Sequence, residues 1–332
     1  MRTLQYWTTG PSTSEIRETD VPVPDDGEAL IETLVSGVSR GTEGLVHRGE
    51  VPDAVAHLMR APNQLGNLPH PVSHGYLNVG VVREGAEHLV GQRVFTLSGH
   101  RQHVVMSTED CHVLPAGMSA ERALLAGIAE VALNGVWEAQ LTLADRVAVV
   151  GAGLVGLCAG LLAERAGAHV LMVDQNERRR ALCERLGLAA AAPEEAGGDQ
   201  DVVLHTSASA AGLETALRII GDDGAVVELS WYGTSAPQIP LGSDFHARRL
   251  RILGVQVGEV ASPKRLRRTR TERLATALGL LADERFDALI TGRSPLTQLP
   301  AEMNRLLADP ETILHVIDYP AHQHPIDPGE HL

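Results

Sequence analysis

The sequence predicts an α/β chain in which a doubly wound parallel sheet is joined to a smaller β-rich unit. Three observations carry this. The first ~115 residues read as short strands cut by turns, and from residue 146 apolar strands alternate with helices. Between the first such strand and its helix lies a glycine-rich turn, Gly151-Ala152-Gly153-Leu154-Val155-Gly156. At 332 residues the chain has room for two domains, each with its own core.

In the N-terminal part, strands are expected at residues 29–35, 78–82, 93–97, 103–106 and 112–114, punctuated by Pro22, Pro24, Pro62, Pro69, Pro71 and Pro115. Residues 119–139 carry apolar positions at helical spacing, with Ser119 as N-cap. Strands then fall at 146–150, 169–173, 201–205, 225–229 and 251–257, with helices at 154–166, 177–186 and 213–220 between them. Continuous apolar strands of this kind belong to a parallel sheet covered on both faces. The last quarter adds helices at 270–283 and 296–307 and a strand at 313–317; the Pro- and His-rich tail from Pro320 is expected to be disordered.

The glycine turn has the context of a Rossmann dinucleotide fingerprint: a strand before it, a helix after it, and a second strand ending in an acid, Asp174. Gly151 serves the tight turn, Gly153 the close approach of backbone to a pyrophosphate, and Gly156 helix–strand packing, with Leu154 and Val155 opening the helix. Asp174 can bind ribose hydroxyls and repels a 2′-phosphate, which favours NAD over NADP. Arg179, with Arg178 and Arg180, could offset that preference or form a solvated helix face. Thr206 and Ser207, and Ser230 with Trp231, follow the ends of later strands, where such sheets hold ligands.

Composition excludes several classes. The net charge of −14 argues against a sequence-independent hold on nucleic acid, and aromatic residues at 3% leave little for base stacking. Mean hydropathy is −0.03, and the longest helical apolar stretch, residues 154–163, is too short to span a membrane. Residues 1–7 alternate like a strand and lack the apolar core of a signal peptide, so a cytoplasmic location is expected. Cys111, Cys158 and Cys183 lie too far apart for a CxxC centre or a local zinc cluster. Of 28 basic residues only Lys264 is lysine, read as coding bias. The one basic run, residues 264–270, reads as a solvated face or an attractor of anionic groups.

The β-rich beginning, central dinucleotide fold and returning C-terminus together resemble the medium-chain dehydrogenase/reductase superfamily. The anchors are Gly37-Val38-Ser39-Arg40-Gly41-Thr42-Glu43, Gly91-Gln92-Arg93-Val94, Leu114-Pro115 and the 151–156 turn. Residues 227–233 and 245–250 are similar to the branch of bacteriochlorophyllide hydroxyethyl dehydrogenases and related alcohol-dehydrogenase-like proteins. The resemblance implies a GroES-like catalytic domain at 1–128 and 259–332, a Rossmann domain at 129–258, a cleft between them, and a homodimer joined along the last strand of the dinucleotide sheet. It also implies a nicotinamide-dependent dehydrogenase acting on a small molecule.

The chain departs from zinc-dependent members at each catalytic ligand. Ser39 replaces a Cys, Tyr76 in Gly75-Tyr76-Leu77 replaces the His of a Gly-His-Glu, and the third ligand position falls near Gly127. These cannot form an open three-ligand zinc site, so a zinc-independent enzyme is expected. His100, His103, Cys111 and His112 have a suggestive spacing, but alternation along strands explains them equally. Without metal, the proton-handling candidates are Thr42, which matches the family's relaying hydroxyl or else serves as a turn residue, and Tyr76 as donor to a carbonyl. His100 is a loop acid/base or a surface His, and Glu130 a carboxylate near the nicotinamide or a partner of Arg122 or Arg165. Ser39, Trp231 and His246 are candidate substrate contacts, His246 with Arg248 and Arg249 reading also as surface charge. His315 stands near a family pyrophosphate position. The expected reaction interconverts a secondary alcohol and a ketone; an NADPH-dependent enoyl or quinone reductase and a non-catalytic dinucleotide binder are the alternatives.

Overall fold

A computed structural model describes residues 2–320; the expectation for the tail beyond Pro320 lies outside the described residues. Six parallel strands form one sheet in the spatial order Ala189–Ala191, His169–Val173, Arg146–Val150, Gln200–His205, Ile220–Glu228, Arg251–Gly254. Numbered along the chain this is 3-2-1-4-5-6, the doubly wound order whose switch point lies between the first and fourth strands. Arg146–Val150 shows why such strands read as unbroken apolar runs. Val147 and Val149 join a core with helices Ala126–Glu138, Leu154–Arg165 and Arg270–Leu280, while Ala148 and Val150 pack with helix Ala210–Ile219 on the other face.

The second body is mostly antiparallel, its one parallel pair among the described residues being Ile290–Pro295 with Leu314–Asp318. Its main sheet runs Ile290–Pro295, Leu314–Asp318, Glu28–Ser39, Asn78–Glu84, Arg93–Thr96, His112–Val113, with His103–Ser107 also pairing to Glu28–Ser39. Leu314 pairs with Ser39 and Ile317 with Ser36, so the end of the chain fixes the strand that delivers Ser39 to the site. A four-stranded sheet of Thr13–Asp20, Arg2–Gly10, Val72–Ser73 and Leu65–Gly66 lies beside it. The chain re-enters the main sheet at Ile290, after helix Arg270–Leu280 has packed on Ala126–Glu138.

Some elements differ from the sequence expectation. The run 119–139 divides into helices Ala120–Ala123 and Ala126–Glu138, turning Leu124 and Leu125 both into the core; Ser119 caps the first by accepting from Arg122 N–H. Thr13–Asp20 pairs along Arg2–Gly10, yet its residues are almost all polar and give no apolar alternation to read. The strand expected at 251–257 ends at Gly254, and Glu28–Ser39 runs on through Gly37, past the expected end at 35.

Candidate active site

A cavity of about 1220 Å³ opens between the two bodies. That exceeds the roughly 300–1,000 Å³ of a single small-molecule pocket, which leaves room for a dinucleotide and a second ligand. One wall is the glycine turn. Gly151 has φ +105°, where side chains are strained, and a Cβ on Gly156 would sit 1.8 Å from the Gly151 carbonyl oxygen. Asp174 closes the turn: its carboxylate accepts from Ala152 N–H at 2.7 Å and from Asn176 N–H at 2.8 Å. Gly153, Leu154, Val155, Thr206, Ser207, Ser230 and Trp231 line the same cavity, and Thr206 donates its hydroxyl to the Gly151 carbonyl at 2.7 Å.

Two arginines stand beside the turn. Arg179 donates to the carbonyls of Ala152 and Pro310, and Arg40 to those of Leu307 and Pro310. Burial, then the neighbouring Arg179 charge, lowers the pKa of Arg40. Two adjacent cations bonded only to carbonyls suit an anion at the helix end, which is where a pyrophosphate would be held. Sequence reasoning passed over Arg40, although it lies inside the anchor Ser39-Arg40-Gly41; its charge beside a glycine was the available signal.

Across the cavity the hydroxyls of Ser39, Thr42 and Tyr76 meet. Ser39 ends strand Glu28–Ser39, Thr42 lies in the first turn of helix Arg40–Arg48, and Tyr76 precedes strand Asn78–Glu84. Burial pushes the Tyr76 phenol up to about 12, helped by the Glu43 charge and opposed by hydrogen bonds with Ser39 and Thr42. Gly127 backs this group, and a Cβ there would fall 2.8 Å from Leu77 Cδ2. The hydroxyls of Ser39 and Tyr76 and the leucine-packed Gly127 do not supply the charged or nitrogen and sulfur donors of a three-ligand zinc site. Among the described residues no group of three or more His, Cys, Asp and Glu side chains could hold a metal.

The remaining expected residues are distributed as follows. His100 is fully buried rather than presented on a loop surface, and it lies behind the cavity wall. Its Nε2 meets Glu43 at 2.9 Å and its Nδ1 meets Ser36 Oγ at 2.8 Å, and Ser36 continues to the Tyr319 hydroxyl at 2.8 Å. Glu43 also accepts from Ser39 N–H at 2.7 Å, so this buried chain braces Ser39. Thr42 sits within the helix and faces the cavity; the capping position is Ser39's.

Glu130 borders the cavity but is bound by Arg273 at 3.0 Å, not by Arg122 or Arg165. Arg273, almost fully enclosed, also donates to Asn134, Glu259 and Val257, tying helix Ala126–Glu138 to residues 257–259. Glu130 is thereby a structural anchor: burial raises its pKa and the Arg273 charge opposes the rise. His246 is exposed and away from the cavity, while Arg248 and Arg249 pair with Asp222 and Asp223. His315 bonds Ser294 at 2.8 Å between the parallel strands Ile290–Pro295 and Leu314–Asp318, not the dinucleotide crevice. Of the basic run, Arg270 reaches the cavity wall and donates to Gly258.

His74 was missed by sequence reasoning. It lines the cavity and meets the Tyr76 ring edge-on, with centroids 5.9 Å apart. Gln64 Oε1 accepts from Ala61 N–H at 3.3 Å and from His74 Nδ1–H at 3.0 Å, which fixes the His74 tautomer. Burial drives its pKa down to about 4, so it holds Tyr76 in place as a neutral ring.

Comparison with known proteins agrees with this fold. Residues 155–276 match the family described as Zinc-binding dehydrogenase. The chain is 26% identical over 225 residues to 2-dehydro-3-deoxy-L-galactonate 5-dehydrogenase of Pseudoalteromonas atlantica, a match covering 64% of this chain and 62% of that relative. Its fold superposes on 2R,3R-butanediol dehydrogenase from Bacillus subtilis with a TM-score of 0.76, at 19% identity, over 96% of this chain and 100% of the other. A structure from Sinorhizobium meliloti 1021 described as a zinc-binding dehydrogenase bound to NADP gives a TM-score of 0.77 at 19% identity, covering 96% and 99%.

Proposed function

We propose that this chain belongs to the medium-chain dehydrogenase/reductase superfamily, a reading that the matches support, and that it is a nicotinamide-dependent enzyme that interconverts a secondary alcohol and a ketone without zinc. The observation that carries the reading is the convergence of Ser39, Thr42 and Tyr76 in one cavity, facing the dinucleotide turn. Residues 151–156, Asp174, Arg40 and Arg179 would hold the dinucleotide, with NAD favoured by the Asp174 carboxylate. When bound, that cofactor supplies or accepts the hydride.

The chain's own residues handle the oxygen and its proton. Burial keeps Tyr76 protonated at neutral pH, so its phenol donates to a ketone oxygen lying in the cavity. Ser39 and Thr42, bonded to the phenol oxygen, provide the path by which its proton is replaced. His74 and the Glu43–His100 pair hold these hydroxyls in register. A small-molecule substrate, a cytoplasmic setting and a homodimer along the edge strand Arg251–Gly254 belong to the same reading. Among the described residues no helix is long and apolar enough to cross a membrane.

The test is nicotinamide oxidation or reduction followed with secondary alcohols, ketones and enones. Turnover of alcohols and ketones supports the proposal. Turnover of enones alone would replace it with an enoyl or quinone reductase. Cofactor binding with no turnover of any substrate would replace it with a non-catalytic binder.

A further inference from the structure

His205 and Glu228 face each other at the carboxyl ends of two neighbouring parallel strands. His205 is fully buried, and both ring nitrogens have partners. Nδ1 meets the two Glu228 oxygens at 2.9 and 2.7 Å, and Nε2 meets Ser207 Oγ at 2.7 Å. Tyr232 stacks on the imidazole and donates its hydroxyl to Glu228 at 3.1 Å, and Ser230 N–H donates to the same carboxylate at 2.8 Å. Burial opposes ionisation of Glu228, but the bonds from His205 and Ser230 outweigh it and hold the carboxyl below its ordinary range.

This arrangement sets a direction. An ionised carboxylate can only accept, so Nδ1 donates to Glu228 and Nε2 is the ring atom that meets Ser207. Ser209 Oγ, 2.9 Å from Ser207 Oγ, already accepts from Gly212 N–H and is free to donate to Ser207. Ser207 Oγ is thus held between His205 Nε2 and Ser209 Oγ. A Cβ on Gly212 would lie 2.0 Å from Ser207 Oγ, so that glycine gives the hydroxyl its space.

Ser207 also stands on a defined half of the crevice. Strand His169–Val173, leading to Asp174, lies on one side of Arg146–Val150; strand Gln200–His205, leading to Ser207, lies on the other. A dinucleotide whose pyrophosphate rests on the helix end and whose first ribose meets Asp174 must carry its second ribose over Gln200–His205. The two backbones touch there: a Cβ on Gly151 would fall 2.8 Å from Ser207 N.

We propose that His205, backed by Glu228, is a positioning residue that fixes the Ser207 hydroxyl for a hydrogen bond with a hydroxyl of the cofactor's second ribose. The inference rests on the dinucleotide reading of the crevice and is independent of the alcohol chemistry.

Equilibrium binding of ADP, ADP-ribose and NADH to the wild type, Ser207→Ala, His205→Leu and His205→Gln tests it, because ADP lacks the second ribose. Ser207→Ala and His205→Leu are expected to weaken ADP-ribose and NADH about five- to tenfold, the scale of one lost hydrogen bond, and to leave ADP nearly unchanged. His205→Gln can donate to Glu228 and accept from Ser207, and is expected to recover most of the loss. Equal weakening of all three ligands overturns the proposal, since that is what a merely structural network would give. Unchanged ADP-ribose binding by Ser207→Ala overturns it as well, and that variant decides the ribose contact even where His205→Leu does not fold. Failure of the wild type to bind any of the three overturns both this proposal and the dinucleotide reading. Selective weakening without any alcohol turnover sustains the proposal and removes only the alcohol reading.

Discussion

Glu43 Oε2 lies 2.9 Å from His100 Nε2, and both side chains are almost fully enclosed. Removing one partner of such a pair leaves a buried polar group without compensation. His100→Ala is therefore expected to destabilise the fold by about 3 kcal/mol. Glu43→Gln, which keeps a hydrogen-bonding group at both contacts, is expected to cost less. Urea midpoints check this; a His100→Ala midpoint equal to the wild type would show that the pair carries no stability.

The glycine turn makes a sharper demand. Gly156→Ala places a Cβ 1.8 Å from the Gly151 oxygen, so the turn must open. NADH affinity is expected to fall about tenfold or more, the scale of one lost charge-assisted phosphate contact. Gly279→Ala, whose Cβ would meet nothing within 4 Å, is the matching control and should bind as the wild type does. Fluorescence titration with NADH separates the two.

Tyr76→Phe removes the proposed oxygen donor while keeping the ring against His74. Turnover is expected to fall about a hundredfold, the range of a positioned proton donor, with NADH binding unchanged. A variant as active as the wild type would make Tyr76 a wall residue and move the donor role to Thr42 or Ser39.

Burial also fixes a pH response at each end of the scale. All four tyrosines, Tyr6, Tyr76, Tyr232 and Tyr319, are pushed upward by burial, Tyr6 and Tyr76 to about 12. Folding then holds protons that the unfolded chain releases, so this stability is present below about pH 10 and lost as pH rises toward 12. In the folded protein the tyrosinate absorbance should be absent until the alkaline unfolding transition. His74, driven down to about 4 by burial, acts in the opposite window. The unfolded chain takes up that proton first, so its contribution is present above about pH 6.5 and lost as pH falls toward 4. His74→Phe should flatten the acid limb of a stability profile; an unchanged limb would contradict the assignment.

What could be read in advance depended on whether the determining contacts were local. Arg146–Val150 and His169–Val173 emerged with their observed bounds because a doubly covered strand writes its burial into every residue. The Gly151, Gly156 and Asp174 arrangement was legible because fixed spacing and conformational freedom define it. Thr13–Asp20 was not, since it is half-exposed and almost wholly polar. The partners of buried charges were hidden for another reason. Arg273 lies 143 positions from Glu130, and His100 lies 57 from Glu43, distances that only the fold closes. His100, polar and glycine-flanked, read as a surface loop; two long-range hydrogen bonds allow it to be buried. His74 carried no local signal, because its tautomer is set by Gln64 across a turn.

The central claim, oxygen activation by Ser39, Thr42 and Tyr76 in place of a metal, is tested most directly by turnover before and after stripping metal with a chelator, with zinc content measured on the same samples. Substoichiometric zinc and a rate unchanged by chelation are expected. A stoichiometric zinc that leaves together with the activity, and restores it when returned, would contradict it.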